Sequence, residues 1–171
     1  MPGAPQACRF NPPSKPDDGF RIMSRLLALV VAACLAAPLM ASAQLASSDA
    51  AIKHRQAAFT LMATYFARIN SVVKGERPFD RPSVLADAQL VETISRLPWI
   101  GFAPGSDAGK TKAKADIWLE EEKFVRLRDD MQTKVSALRA TAQDADLAKI
   151  KLAFERARDS CQTCHKAFRN D

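Results

Sequence analysis

The sequence predicts an all-α protein folded as an antiparallel four-helix bundle, and three observations carry that reading. From Ala50 onward Ala, Leu, Lys, Arg, Asp and Glu dominate while β-branched residues are sparse, a composition that favours helix by intrinsic propensity. Four stretches repeat apolar residues at helical spacing, each bounded by Gly, Pro or a short polar cluster. All but one of the connections are short, so consecutive helices run antiparallel and can bury their stripes only against one another. At 171 residues, 47% hydrophobic and 26% charged, the chain has the make-up of one globular domain rather than of a disordered segment.

The first helix begins after Ser47, Ser48 and Asp49, a good N-cap cluster, and runs to about Lys74, where Gly75 closes it and Pro78 forbids continuation. Ile52, Phe59, Phe66 and Val73 recur at seven-residue spacing with Arg55, Met62 and Ile69 between them. One charged residue, Arg55, therefore interrupts an apolar stripe. The second helix opens at Arg81, Pro82 and Ser83, turns Val84, Leu85, Ala88, Val91 and Ile94 inward, and stops at Leu97 and Pro98. The long connection, residues 99–115, contains Gly101, Pro104, Gly105 and Gly109 and is made basic by Lys110, Lys112 and Lys114. The third helix, residues 116–142, places Ile117, Phe124, Met131 and Leu138 seven apart, with Leu127 and Val135 widening the stripe. The fourth, residues 144–168, has an unbroken seam of Leu147, Ile150, Phe154, Ala157, Cys161, Cys164 and Phe168.

The N-terminus reads as a targeting segment. Residues 1–22 are a mis-start or disordered extension: the first 20 hold five of the ten prolines and show no hydrophobic period. Met23, Ser24 and Arg25 restart the chain as a basic head. Residues 26–40 are apolar, and Ala41, Ser42 and Ala43 form the small-residue cleavage site of a secretory signal peptide, residues 23–43. The apolar run is shorter than the roughly 20 residues a spanning helix needs, so no stable membrane association is expected after cleavage. Val31, Ala32, Ala33 and Cys34 offer a lipidation signal as a lesser alternative. The mature domain, residues 44–171, is expected in the periplasm. It keeps only Cys161 and Cys164 of the four cysteines.

Those two residues carry the chemistry. Cys161, Gln162, Thr163, Cys164 and His165 form a C-x-x-C-H run, the pattern of c-type haem attachment. Helical spacing puts both thiols on one face, where they can reach the two vinyl groups on one porphyrin edge while the adjacent imidazole meets the iron. A redox disulfide would want the pair at a helix N-terminus after a strand. A zinc site would want about four ligands, and only His54 remains as a further donor of the usual kind. The expected cofactor is one covalent haem c per chain, in the bundle near the C-terminal helix, with His165 as its axial iron ligand.

Taken together, Ile52 to Gln56, Val73 to Glu76, Pro78 to Asp80, Leu97 to Trp99, Ile117 with Trp118, and Cys161 to Arg169 resemble cytochrome c prime, the class II c-type cytochromes. The resemblance spans nearly the whole mature domain. It implies a homodimer and a five-coordinate, high-spin haem iron held by His165 alone. In six-coordinate members of the class a Met occupies the position of Phe59, which cannot ligate and would stand over an iron face open only to small diatomic gases. The residues also leave Met62, His54 and Met131 as possible sixth ligands, and Met62, one turn along the same stripe, gives the alternative of a low-spin electron carrier. The resemblance further implies that Arg55 and Gln56 contact the haem propionates, with Thr111 or Lys112 as a further contact from a loop two residues longer than the family form. By helical spacing Arg169 lies beside the proximal imidazole. Snorkelling to solvent is the alternative for Arg55 and Gln56, and a solvated charge for Arg169.

The expected roles are electron transfer with redox partner proteins and binding of NO or CO, without enzymatic activity. Four of the 25 Lys and Arg and two of the 19 Asp and Glu precede Gln44, leaving 21 against 17, a formal +4. That is too mild, and too evenly spread, to argue for nucleic acid. No phosphate loop, hydrolase triad or zinc motif occurs, and peroxidase chemistry would lack its distal acid or base.

Overall fold

A computed structural model describes residues 47–144 and 146–170. The proposed extension, the signal segment and its cleavage site lie outside the described residues. Helix α1 spans Ser48–Val73, α2 Arg81–Ile94, α3 Asp116–Leu119, α4 Glu121–Asp144 and α5 Leu147–Phe168, with a 3₁₀ turn at Pro98–Gly101. Among the described residues the only β pairing is a single bridge between Ala113 and Arg169.

The ends follow local chemistry. Ser47 has an extended backbone, and its hydroxyl accepts from the Ala50 N–H at 3.2 Å, satisfying one of the orphan donors of α1. At the other end Gly75 adopts φ +75°, in the left-handed region, and the Glu76 N–H returns to Ser71 O at 2.9 Å. Asp80 caps α2 through Ser83, with Pro82 in the first turn, and Asp146 caps α5 through Lys149 at 2.9 Å.

Several boundaries differ from the sequence reading, the third helix running on to Asp144 and the second ending at Ile94. The fourth helix starts at Leu147 rather than 144, because Asp146 takes the cap position. The third is broken at Glu120, whose backbone leaves the helical region at φ −117°, ψ 48°. The break keeps helical hydrogen bonds on both sides, from Glu120 N to Asp116 O and from Phe124 N to Glu120 O. Residue spacing therefore carries no mark of it.

α4 packs along α5, and α2 packs along both α1 and α4, while α1 and α5 touch only sparingly. The main core joins Ile69, Val91, Val135, Leu138, Ile150 and Phe154, and a smaller cluster of Ile117, Phe124 and Phe168 closes the end that carries the long loop. Phe154 is 1% exposed and stacks on Phe66 with ring centroids 4.3 Å apart. Truncating such a side chain removes transfer energy and leaves a cavity, so Phe154→Ala should cost about 3–5 kcal/mol in urea unfolding of the holoprotein. A loss below about 1 kcal/mol, within the range of a surface change, would show that the stack lies outside the cooperative core.

Candidate functional site

Between the parted helices α1 and α5 lies a cavity of about 740 Å³, also walled by α4 and the long loop. This is within the size range of cofactor sites. Its interior is apolar: Phe59, Met62 and Phe66 from α1, Trp99 and Phe102 from the loop, and Phe124, Leu127 and Met131 from α4. Its lining is also cationic, with Arg55, Lys112, Arg128, Arg158 and Arg169, and among the described residues no Asp or Glu lines it.

Cys161, Cys164 and His165 stand together on the α5 wall. The two thiols are free and half-buried. Burial pushes both upward in pKa, Cys164 to about 11 with the neighbouring Cys161 adding to it. They are protonated at neutral pH, the opposite of the shift an oxidoreductase dithiol needs. Burial also lowers the pKa of His165, assisted by the charge of Arg169, and so favours the neutral imidazole that can ligate a metal. The chain's other histidine, His54, is half-buried outside the cavity lining, where its Nε2 lies 2.8 Å from Leu97 O.

Arg55 is only 2% exposed, so it does not snorkel. Its Nη1 donates to Gly101 O at 2.6 Å and Ser106 Oγ at 2.7 Å, and its Nη2 donates to Ser106 O at 2.6 Å and Thr111 Oγ1 at 2.8 Å. The guanidinium lies 4.7 Å from the centroid of the Phe102 ring. Burial lowers its pKa, partly offset by Asp107, yet a guanidinium stays charged at neutral pH. Gln56 adds a bond from Nε2 to Lys110 O at 2.7 Å. One helical turn of α1 thus grips the loop from residue 101 to 111. Gly101 is required at the tightest point, because a Cβ there would lie 2.7 Å from Ala51 O and 2.8 Å from Arg55 Cβ.

Phe59 packs edge-on against Trp99 and Phe102, at centroid distances of 6.0 and 6.3 Å. The structure gathers Arg55, Gln56, Phe59, Thr111, Cys161, Cys164, His165 and Arg169 around one cavity, together with Met62 and Met131. Sequence reasoning missed Ser106, which is fully buried against Arg55, and Phe102, which connects Phe59, Trp118 and Phe124. The interruption of the stripe by Arg55 signalled a buried partner without identifying it.

The cavity fits a c-type haem by the chemistry of its walls. Two thiols and an imidazole lie side by side, the apolar lining suits a macrocycle, and the lining cations suit its two carboxylates. Comparison with known proteins agrees in kind. A family profile described as Cytochrome C' matches residues 50–169. Cytochrome c' of Alcaligenes xylosoxydans xylosoxydans is 38% identical over 126 residues, covering 74% of this chain and 98% of the relative. The crystal structure of cytochrome c' from Rubrivivax gelatinosus superposes with a TM-score of 0.72 at 35% identity, covering 74% of this chain and all of that one. A nitric oxide complex of a single-residue variant of the Alcaligenes xylosoxidans protein superposes with a TM-score of 0.71 at 37% identity, covering 74% and 98%.

Proposed function

The chain belongs to the cytochrome c prime family, whose members carry covalent haem c, and from that premise we propose that it is a periplasmic monohaem cytochrome that transfers single electrons and binds small diatomic gases. In this reading Cys161 and Cys164 hold the haem by thioether bonds and His165 is the only strong ligand to its iron. When bound, the haem supplies a one-electron redox couple and an axial position that can take NO or CO.

The observation that carries the reading is the α1 wall of the cavity. Phe59 there has no donor atom, and its packing against Trp99 and Phe102 fixes the ring in place. Arg55, Gln56 and Thr111 line the cavity together, and Arg55 has only its Nε–H uncommitted to the loop, so a propionate would be met by that N–H and by the neighbouring amide and hydroxyl. Arg169 stands on the His165 side. Among the described residues the lining holds no carboxylate to act as acid or base, which favours a carrier over a catalyst. The nitric oxide complex of the Alcaligenes xylosoxidans relative supports the gas-binding half of the proposal.

Among the described residues no helix is long and apolar enough to cross a membrane. Together with the signal-like segment at residues 23–43, this supports export to the periplasm. A homodimer completes the reading, and sedimentation of the holoprotein tests it.

The deciding measurement is the spin state of the ferrous protein with and without NO. A high-spin spectrum that changes on adding the gas is expected. A low-spin spectrum indifferent to NO would make Met62, which lines the same cavity, the sixth ligand and leave electron transfer alone. Phe59→Ala should open the wall and raise the CO association rate about tenfold or more, equivalent to about 1.4 kcal/mol off the barrier, as read by flash photolysis. An unchanged rate would remove Phe59 from the gas path.

A further inference from the structure

Beside the haem cavity lies a second hollow of about 690 Å³, lined by Lys112, Lys114, His165, Lys166, Arg169 and Asn170. It is built by the one β bridge of the described fold. Lys114 N donates to Phe168 O at 3.0 Å and Asn170 N donates to Lys112 O at 2.8 Å, clamping the basic loop across the C-terminal end of α5. Extended backbone points residues two apart to the same side, so Lys112 and Lys114 project together. Among the described residues no Asp or Glu lines the hollow and none of its four cations joins an ion pair, although pairs such as Lys53 with Asp49 and Lys134 with Asp130 recur elsewhere on the described surface. Four cations on one face repel one another, an arrangement that costs stability unless something anionic meets it. Two propionates could offset at most two of the charges.

Location supplies the second half of the argument. Lys112, His165 and Arg169 line both this hollow and the haem cavity. A protein seated on the hollow would therefore lie against the residue that ligates the iron. We propose that the face formed by Lys112, Lys114, Lys166 and Arg169 is the docking site for an acidic electron-transfer protein. This rests on the haem-carrier reading above. Charge complementarity sets the partner's chemistry: a carboxylate-rich surface around its own redox centre.

The test uses the holoprotein with reduced flavodoxin as an acidic one-electron donor and duroquinol as an uncharged one, followed by stopped flow. With flavodoxin, Lys114→Glu combined with Lys166→Glu should slow reduction at least about tenfold at about 0.01 M ionic strength, and the difference should shrink by about 0.15 M as the Debye length falls from about 30 Å to about 8 Å. Neither residue lines the haem cavity, so reduction by duroquinol should be unaffected. Arg77→Glu combined with Lys151→Glu makes the same charge change at the opposite end of the bundle and should alter the flavodoxin rate less than about twofold, since interactions beyond a Debye length are screened. Equal slowing by the two double variants would mean that only net charge matters, and no slowing by either would mean that this face is not used; both outcomes overturn the proposal while leaving the carrier reading in place. A haem that neither donor reduces would overturn both.

Discussion

Replacing Cys161 and Cys164 together with serine will yield a protein from which all porphyrin separates on unfolding, whereas the parent will keep its colour through a denaturing gel and its haem mass in intact mass spectrometry. The expectation follows from the wall of the cavity. Both thiols lie on the same face of α5 beside His165, and no other cysteine is present among the described residues. Serine keeps the size and the helix but cannot form a stable thioether. The imidazole and the apolar lining would still take up haem reversibly, so the double variant can be coloured when folded; the loss appears only once the fold is removed. Either single substitution leaves one bond and should retain haem on the gel. Haem surviving denaturation in the double variant, or absent from the parent after export with its maturation system, would sink the assignment of these two residues.

The second large effect is expected at Arg55. Arg55→Met keeps the reach of the side chain and deletes its donors, leaving Gly101 O, Ser106 O and two hydroxyls without the partner they have now. Hydrogen bonds to a charged group are worth about 1.5–3 kcal/mol each, and the buried cation's own desolvation cost disappears with it, so a net loss of about 3 kcal/mol is expected. Urea unfolding of the holoprotein measures it. Arg55→Lys should recover less than half, because one ammonium cannot span acceptors on Gly101, Ser106 and Thr111 at once. The loss should be accompanied by faster proteolysis within residues 101–111, the segment that the guanidinium holds. A stability within about 0.5 kcal/mol of the parent, with the loop equally protected, would show that the loop is held by other contacts.

The extent to which all this could be read beforehand varies by residue. The helical stripes were legible because burial at three- and four-residue spacing leaves a composition trace: Ile69, Val91, Leu138 and Ile150 lie where their periods place them. The C-x-x-C-H run was legible because its meaning depends on local spacing alone. The break at Glu120 was not, since its hydrogen bonds conserve the period. The partner of Arg55 was not legible either. Ser106 is one serine in a glycine-rich loop, and only the folded path of that loop, tightened where Gly101 meets Ala51, brings it beneath the guanidinium. The buried Asp87, held by Arg68 Nε at 3.0 Å, escaped for a related reason: ion pairs between helices depend on register, which a single helix does not encode.

The gap between α1 and α5 has a thermodynamic consequence. A polypeptide with so much hydrocarbon facing an internal space is incomplete as a fold, and whatever fills that space acts as part of its interior. For a reversibly held ligand such filling would weaken on dilution, by mass action. A filler welded to the chain through Cys161 and Cys164, as proposed, could not leave, so the mature molecule should unfold at a denaturant strength independent of how little haem its surroundings contain.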